Sequence, residues 1–222
     1  MPASPASPHA LLTSSQVVAL HSAYNQAAGW PHADVPCSPE TAHWPAGLLG
    51  AVEENHRRNS LLWCEEDLAR RVRAADAEIV ANKRQIDAHN QARNNAIEQV
   101  DECLLLALGL VDASTVQCVH PVSRVSQTAR LNSETAGSMI DRLSITSLKV
   151  RAMQLQTLRT DVDAVHIASA QQKWLRLQEQ QRDLGHCLDE LLADCLAGRA
   201  YFKIYRQFKM YNDPAYNSAL RA

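Results

Sequence analysis

The 222-residue sequence predicts an all-α fold, a single helical bundle of about five to six helices, several of them long and antiparallel. Two features carry that expectation. Of the nine prolines, none lies between Ala46 and His120 or between Val122 and Asp213. An interior proline costs a helix roughly 3 kcal/mol, so both stretches are free to be helical. Within them apolar residues recur every three to four positions, the period of a helix face.

Residues 1–12, rich in Pro, Ser and Ala, are expected as a disordered leader. A first helix should open near Thr13 or Ser14 and stop at Gly29. Trp30 to Pro45 holds four prolines and reads as a loop tacked to the core by Trp30 and Trp44. Further helices are expected at about 46–73, 77–108, 135–159, 162–197 and 200–211. Asp76 and the pair Thr160–Asp161 are candidate N-caps, and Gly109 and Gly198 candidate stops. The connection 110–130 is long for a bundle, so it should cross the bundle end or fold over something. One domain over 13–217 and a tail at 218–222 complete the plan.

A formal charge of -2, from 22 basic and 24 acidic residues, gives no global field for nucleic acid or an anionic membrane. The N-terminus has no basic segment of signal type. The longest apolar run, Cys103 to Val111, is far short of the ~20 residues of a membrane span. A cytoplasmic protein is therefore expected. The six cysteines form no CxxC pair and read as reduced core residues.

Polar residues in helical register are the candidates for function. In the second helix His56, Asn59, Trp63, Glu66, Asp67 and Arg70 fall within about 100° of arc, on the face that begins with Leu48, Leu49 and Val52. The plain reading would send this arc to water and Leu61, Cys64, Leu68 and Val72 to the core. In the third helix Asn90 and Arg93 lie inside the stripe Ile79, Ile86, Ile97, Val100, Leu104 and Leu108, flanked by Asp87, Asn94 and Asp101. Buried polar groups need partners, which Asp141 and Ser144 of the fourth helix could supply. Asn132, Glu134 and Thr135 would open that helix, with Gly137 allowing close approach to its backbone. These residues together read either as an internal network that fixes helix register or as an inter-helix pocket for a small hydroxylated or phosphorylated ligand, with Asn132 and Thr135 at its mouth and Glu134 capping or pairing with Arg70 or Arg93.

The blocks His56–Asp67, Ile86–Asn94, Leu131–Ile145 and Gln207–Pro214 together resemble a bacterial family catalogued as domain of unknown function 4254, over roughly residues 45–217. The resemblance implies a helical protein often encoded beside glycosyltransferases for lipopolysaccharide or other surface glycans. It implies no activity and no catalytic residue.

The spacing of acidic and histidine residues offers other chemistries. Glu53-x-x-His56, Asp163-x-x-His166 and Asp183-x-x-His186 have the spacing of di-iron ligand pairs. Glu65, Glu66, Glu98 and Asp101 resemble the magnesium-binding carboxylates of all-helical nucleoside triphosphate pyrophosphohydrolases. Ile86–Asp87 followed by Arg93 has a fainter likeness to the opening helix of chorismate mutase. Gly-rich phosphate loops, nucleophilic triads and zinc spacings are absent. The basic, aromatic segment with Tyr201, Phe202, Tyr205, Phe208 and Tyr211 reads as a docking helix, with Tyr201, Tyr205 and Phe208 against the bundle. The expected function is a polar-ligand-binding or partner-binding accessory factor in surface-glycan biosynthesis, with a glycosyltransferase or a small polar ligand as partner, no nucleic acid and no cofactor. The alternatives are a metal-dependent hydrolase of a nucleotide or nucleotide-sugar, which would add a divalent metal such as magnesium, and a structural adaptor.

Overall fold

A computed structural model describes residues 12–34, 44–207 and 214–221. It is an all-α bundle of α1 (Ser14–Gln26), α2 (Leu48–Ala69), α3 (Asp76–Ala107), α4 (Ala136–Thr157) and α5 (Ala164–Leu196). Two short strands, β1 (Arg130–Leu131) and β2 (Ala200–Tyr201), pair in parallel beside it. The expected leader falls almost wholly outside the described residues. Ser218–Arg221 form a 3-10 turn.

The helix starts follow local chemistry. Thr13 accepts from the backbone N–H of Gln16, and the Gln16 side chain returns the bond to Thr13, so α1 opens with a capping box. It ends at Gln26, before Gly29. Asp76 is the first residue of α3 rather than its cap. Asp163, not the Thr160–Asp161 pair, caps α5 through the N–H of His166, because Asp161 is held by Arg159. Gly109 and Gly198 take positive φ just beyond α3 and α5, the left-handed geometry that releases a chain from a helix.

The apolar core lies at one end of the bundle. Leu48 and Val52 of α2, Val100 and Leu104 of α3, Ile140 and Leu143 of α4, and Leu188 and Leu192 of α5 meet there with Val17, Leu20 and Tyr24 of α1. Trp44 joins them and Trp30 packs against them, as the loop composition predicts. Away from this core run two helical hairpins. Arg58 meets His89 and Glu65 meets Asn82, so α3 runs back along α2. Ser147 meets Gln181 and Gln156 meets His166, so α5 runs back along α4. Asn55 meets Asp141 and Asn59 meets Ser144, so α2 and α4 rise together and both hairpin turns lie beyond the same end.

The expected helix at 200–211 is corrected. Ala200, Phe202 and Ile204 are buried while Lys203 and Tyr205 are exposed, the alternation of an extended chain. Pairing of β2 with β1 and burial of Phe202 override the helical spacing that the aromatic residues suggested; Phe208 and Tyr211 lie outside the described residues. Arg206 then ties this segment to the 110–130 connection, donating to Glu98 of α3 at 2.9 Å and to the carbonyl of Val116 at 2.6 Å. Among the described residues the cysteines are free, and only Cys195 is buried, so they are not chiefly core residues; Cys37 lies outside that set. No described helix is long and apolar enough to cross a membrane.

Candidate functional site

Where the apolar core ends, a polar layer begins. Asn55 and Asn59, four residues apart on one face of α2, both donate to Asp141 Oδ1 of α4, at 2.8 and 2.9 Å. Asn59 also donates to Ser144 Oγ at 3.0 Å. His56 places Nδ1 2.8 Å from the same hydroxyl and Nε2 3.1 Å from Asn25 Oδ1 of α1. With Asn25 presenting a carbonyl oxygen, His56 Nε2–H is the donor there and Nδ1 accepts from Ser144. A continuous chain thus runs Asn25, His56, Ser144, Asn59, Asp141 through the middle of the bundle. The α2 arc that could have met water is divided: His56 and Asn59 are buried and Glu66 half-buried, while Trp63, Asp67 and Arg70 are exposed; of the residues the plain reading sends to the core, Leu61 is half-buried and Cys64, Leu68 and Val72 are exposed.

Arg93 and Trp63 mark where this layer reaches solvent. A cleft of about 300 Å³ lies between α2, α3 and α4. Asn59, Trp63, Glu66, Asp67 and Arg70 line it from α2, Asn90 and Arg93 from α3, and Ile145 and Leu148 from α4. Arg70 is held by Glu66 at 3.0 Å and Asp67 at 3.6 Å. Arg93 Nε is 3.7 Å from Asp141 Oδ1, too long for a hydrogen bond, and has no other acceptor. Expected to be largely buried and bonded, Asn90 and Arg93 are instead half-buried, and Asn90 makes no hydrogen bond to the described protein. Trp63 is 38% exposed, an indole partly open to solvent among polar groups.

The remaining expected site residues go elsewhere. Asp87 is exposed and pairs with Lys83. Asn94 donates to Gln207. Asn132, Glu134 and Thr135 do not reach the cleft: Glu134 pairs with Arg142 at 2.6 Å rather than with Arg70 or Arg93. Asn132 donates to its neighbouring Glu134 carbonyl, and Thr135 caps α4 through the N–H of Ser138. The physical reason is length, since Ile145 lies nine residues beyond Ala136, roughly 14 Å along the axis at the helical rise. Asp101 receives the N–H of Gly137 at 2.7 Å and is buried beneath the start of α4. Glu65 binds Asn82 and Glu98 binds Arg206, so the four carboxylates considered for magnesium hold separate partners. Glu53 is taken by Arg57 and Tyr24. Among the described residues no group of three or more His, Cys, Asp or Glu is placed to hold a metal ion.

The α1 contribution is not legible from helix spacing in α2 to α4. His21 is fully buried, stacked on His56 with ring centroids 4.4 Å apart, and neither of its ring nitrogens has a hydrogen-bond partner. Trp30 lies parallel on His56 and carries the Arg57 guanidinium 4.6 Å from its ring centroid. Burial keeps both imidazoles neutral: His56 is pushed down to about 3, and His21 well below its ordinary value with His56 beside it adding to the effect. Burial pushes Asp101 the other way, up to about 7, against the bonds from Thr135 and Gly137 that favour its anion.

These shifts fix a pH dependence of stability. Below about pH 6.5 the unfolded chain protonates both histidines while the folded chain does not, so each removes stability as pH falls from there toward the folded value. Asp101 has a raised folded value, so its contribution is complete below pH 3.8 and is lost as pH rises through about 7. Between about pH 6 and pH 4 acidification removes the stability held by the two neutral histidines while Asp101 adds some back, so the net direction on acidification is a loss. Denaturant midpoints across that range check the slope. His21→Phe, which strands no partner, should make it shallower.

The fold and the cleft together describe an all-helical bundle with a polar cleft between two hairpins. The chain belongs to the family described as protein of unknown function (DUF4254), whose model matches residues 49–204. That span contains every residue lining the cleft and leaves out the α1 residues His21 and Asn25. No curated protein and no solved structure matches the chain.

Proposed function

We propose that the α2–α3–α4 cleft binds a small, neutral, polyhydroxylated ligand of monosaccharide size, and that the protein serves as a non-catalytic accessory factor in surface-glycan assembly in the cytoplasm. The observation that carries the reading is the partly open Trp63 indole set among Asn59, Asn90, Arg93, Glu66 and Asp67. An aromatic face suits the C–H face of a sugar ring, while amides and carboxylates in one rigid layer suit its hydroxyls. Charge points to a neutral ligand. Two acids and two arginines line the cleft, and Asp141 stands behind Arg93, so little positive potential is left for a polyphosphate. The glycan setting rests on the sequence resemblance.

Calorimetry with glucose, galactose and N-acetylglucosamine tests the reading. Trp63→Ala and Asn90→Ala should each weaken binding about tenfold, ~1.4 kcal/mol, with melting temperature nearly unchanged, since Trp63 is partly open and Asn90 holds no other residue. Saturable binding that ignores both variants would remove the cleft as the site.

A partner-binding role has its own observation. Val72 is 99% and Val165 77% exposed, with Leu68 and Leu158 near them at the two hairpin ends, an unusual set of apolar groups in water. If no free sugar binds, these ends become the favoured functional surface and a glycosyltransferase the favoured partner.

A further inference from the structure

On the opposite side of α4 from the Trp63 cleft lies a second polar cavity, of about 250 Å³, between α1, α4 and α5. We propose that it is a second ligand site, for a small polyhydroxylated molecule carrying one anionic group, and that Arg151 is the residue that selects the charge.

The cavity's composition is unlike that of the first cleft. Among the described residues that line it there is no carboxylate, and Arg151 is the one charged side chain. The rest of its polar lining is hydroxyl and carboxamide, with the Trp174 ring at one side. Such groups both donate and accept, as a set of ligand hydroxyls requires. The volume is at the low end for small-molecule sites and suits a ligand of monosaccharide size.

Arg151 is the observation that points to an anion. Five arginines among the described residues are half-buried: Arg57, Arg58, Arg93, Arg151 and Arg206. Four of them face a carboxylate, in Glu53, Glu54, Asp141 and Glu98 respectively. Arg151 faces none and donates only to the neutral Gln154 carbonyl oxygen at 3.3 Å. A half-buried guanidinium without a counter-charge is a binding group for a carboxylate or phosphate, bidentate where the geometry allows.

The surrounding amides are already oriented. His56, fully buried, donates to Asn25 Oδ1, which leaves the Asn25 Nδ2 hydrogens as its free donors. Gln181 donates to Ser147 at 2.8 Å, which leaves its carbonyl oxygen as acceptor. Gln178 makes no hydrogen bond to the described protein and has both ends available. Donors and acceptors held by a buried network lower the ordering cost of binding.

The site shares no lining residue with the first, and its test is separable from the first. Full-length protein is titrated by calorimetry with glucuronate, glucose 6-phosphate and glucose. Saturable binding is expected for at least one of the two anions, with glucose at least about tenfold weaker in the Trp63→Ala protein, where the first cleft is itself weakened. Glucuronate alone would assign a carboxylate ligand, glucose 6-phosphate alone a phosphorylated one. Arg151→Gln should weaken the anion about tenfold or more, Arg151→Lys should retain most of the affinity, and Gln178→Ala should weaken it several-fold. Trp63→Ala should leave it unchanged, whereas a response to Trp63→Ala would place the anion in the first cleft and overturn the proposal. Trp174→Phe should remove the fluorescence change on binding while the heat remains. The proposal is also overturned by no binding of either anion at about 10 mM, by glucose binding the Trp63→Ala protein as tightly as the anions do, or by Arg151→Gln with native melting behaviour and unchanged affinity.

Discussion

Replacing Asp141 with alanine should destabilise the protein by about 3–5 kcal/mol, among the largest losses from any single exchange outside the apolar core. Its Oδ1 is the common acceptor for Asn55 and Asn59, and it is the nearest negative charge to Arg93 Nε. Removing it leaves two buried amides short of an acceptor, each costing about 1–3 kcal/mol, and a half-buried guanidinium without a counter-charge. Asp141→Asn keeps one oxygen in place and should cost less, about 1–3 kcal/mol. The measurement is the denaturant midpoint at constant m-value. An alanine variant within 1 kcal/mol of the parent, a tolerance below the cost of one stranded amide, would mean that the layer is open to water and that its hydrogen bonds are replaceable.

The helical plan was legible because two proline-free stretches with helical periodicity leave little other choice for the chain. The cleft was partly legible for the same reason. Asn59, Trp63, Glu66, Asp67 and Arg70 share an α2 face, and Asn90 and Arg93 share an α3 face, so docking of those faces brings them together. Asn55 could have been added from the same spacing, four residues before Asn59. His21 and Asn25 could not, because nothing in α1 alone shows that it packs against His56. The extended segment after Ala200 is ambiguous in sequence for a specific reason. Aromatic residues at 201, 205 and 208 fit a helical repeat, but Ala200, Phe202 and Ile204 also fit a two-residue repeat, and only the long-range pairing with Arg130–Leu131 decides between them. Asn132, Glu134 and Thr135 point to the cleft only through their place at a helix start, a local signal that says nothing about which end of the bundle the cleft occupies.

Gly137→Ala should also destabilise, by about 3 kcal/mol or more, against the direction that helix propensity predicts. On propensity alone, alanine inside α4 would gain up to about 1 kcal/mol. The crossing of α4 over α3 reverses the sign. A Cβ at Gly137 would stand 2.5 Å from the Ile97 carbonyl oxygen and 2.9 Å from Asp101 Oδ1. The first of these is backbone in the middle of a helix, so α4 must move, by close to an ångström, before the contact becomes tolerable. That movement lengthens the 2.7 Å bond from the Gly137 N–H to Asp101, leaving a buried carboxylate that has lost one of its donors. Overpacking of this kind costs about 1–3 kcal/mol, and a weakened bond to a charged group about 1.5–3 kcal/mol more. Because Asp141 and Ser144 ride on the same helix one to two turns further along, the shift also misplaces the acceptors of Asn55 and Asn59. Ligand affinity at the Trp63 cleft should therefore fall in the molecules that remain folded. A melting temperature equal to or above the parent's would show that α3 and α4 can separate freely, and that the close crossing does not set the position of the polar layer.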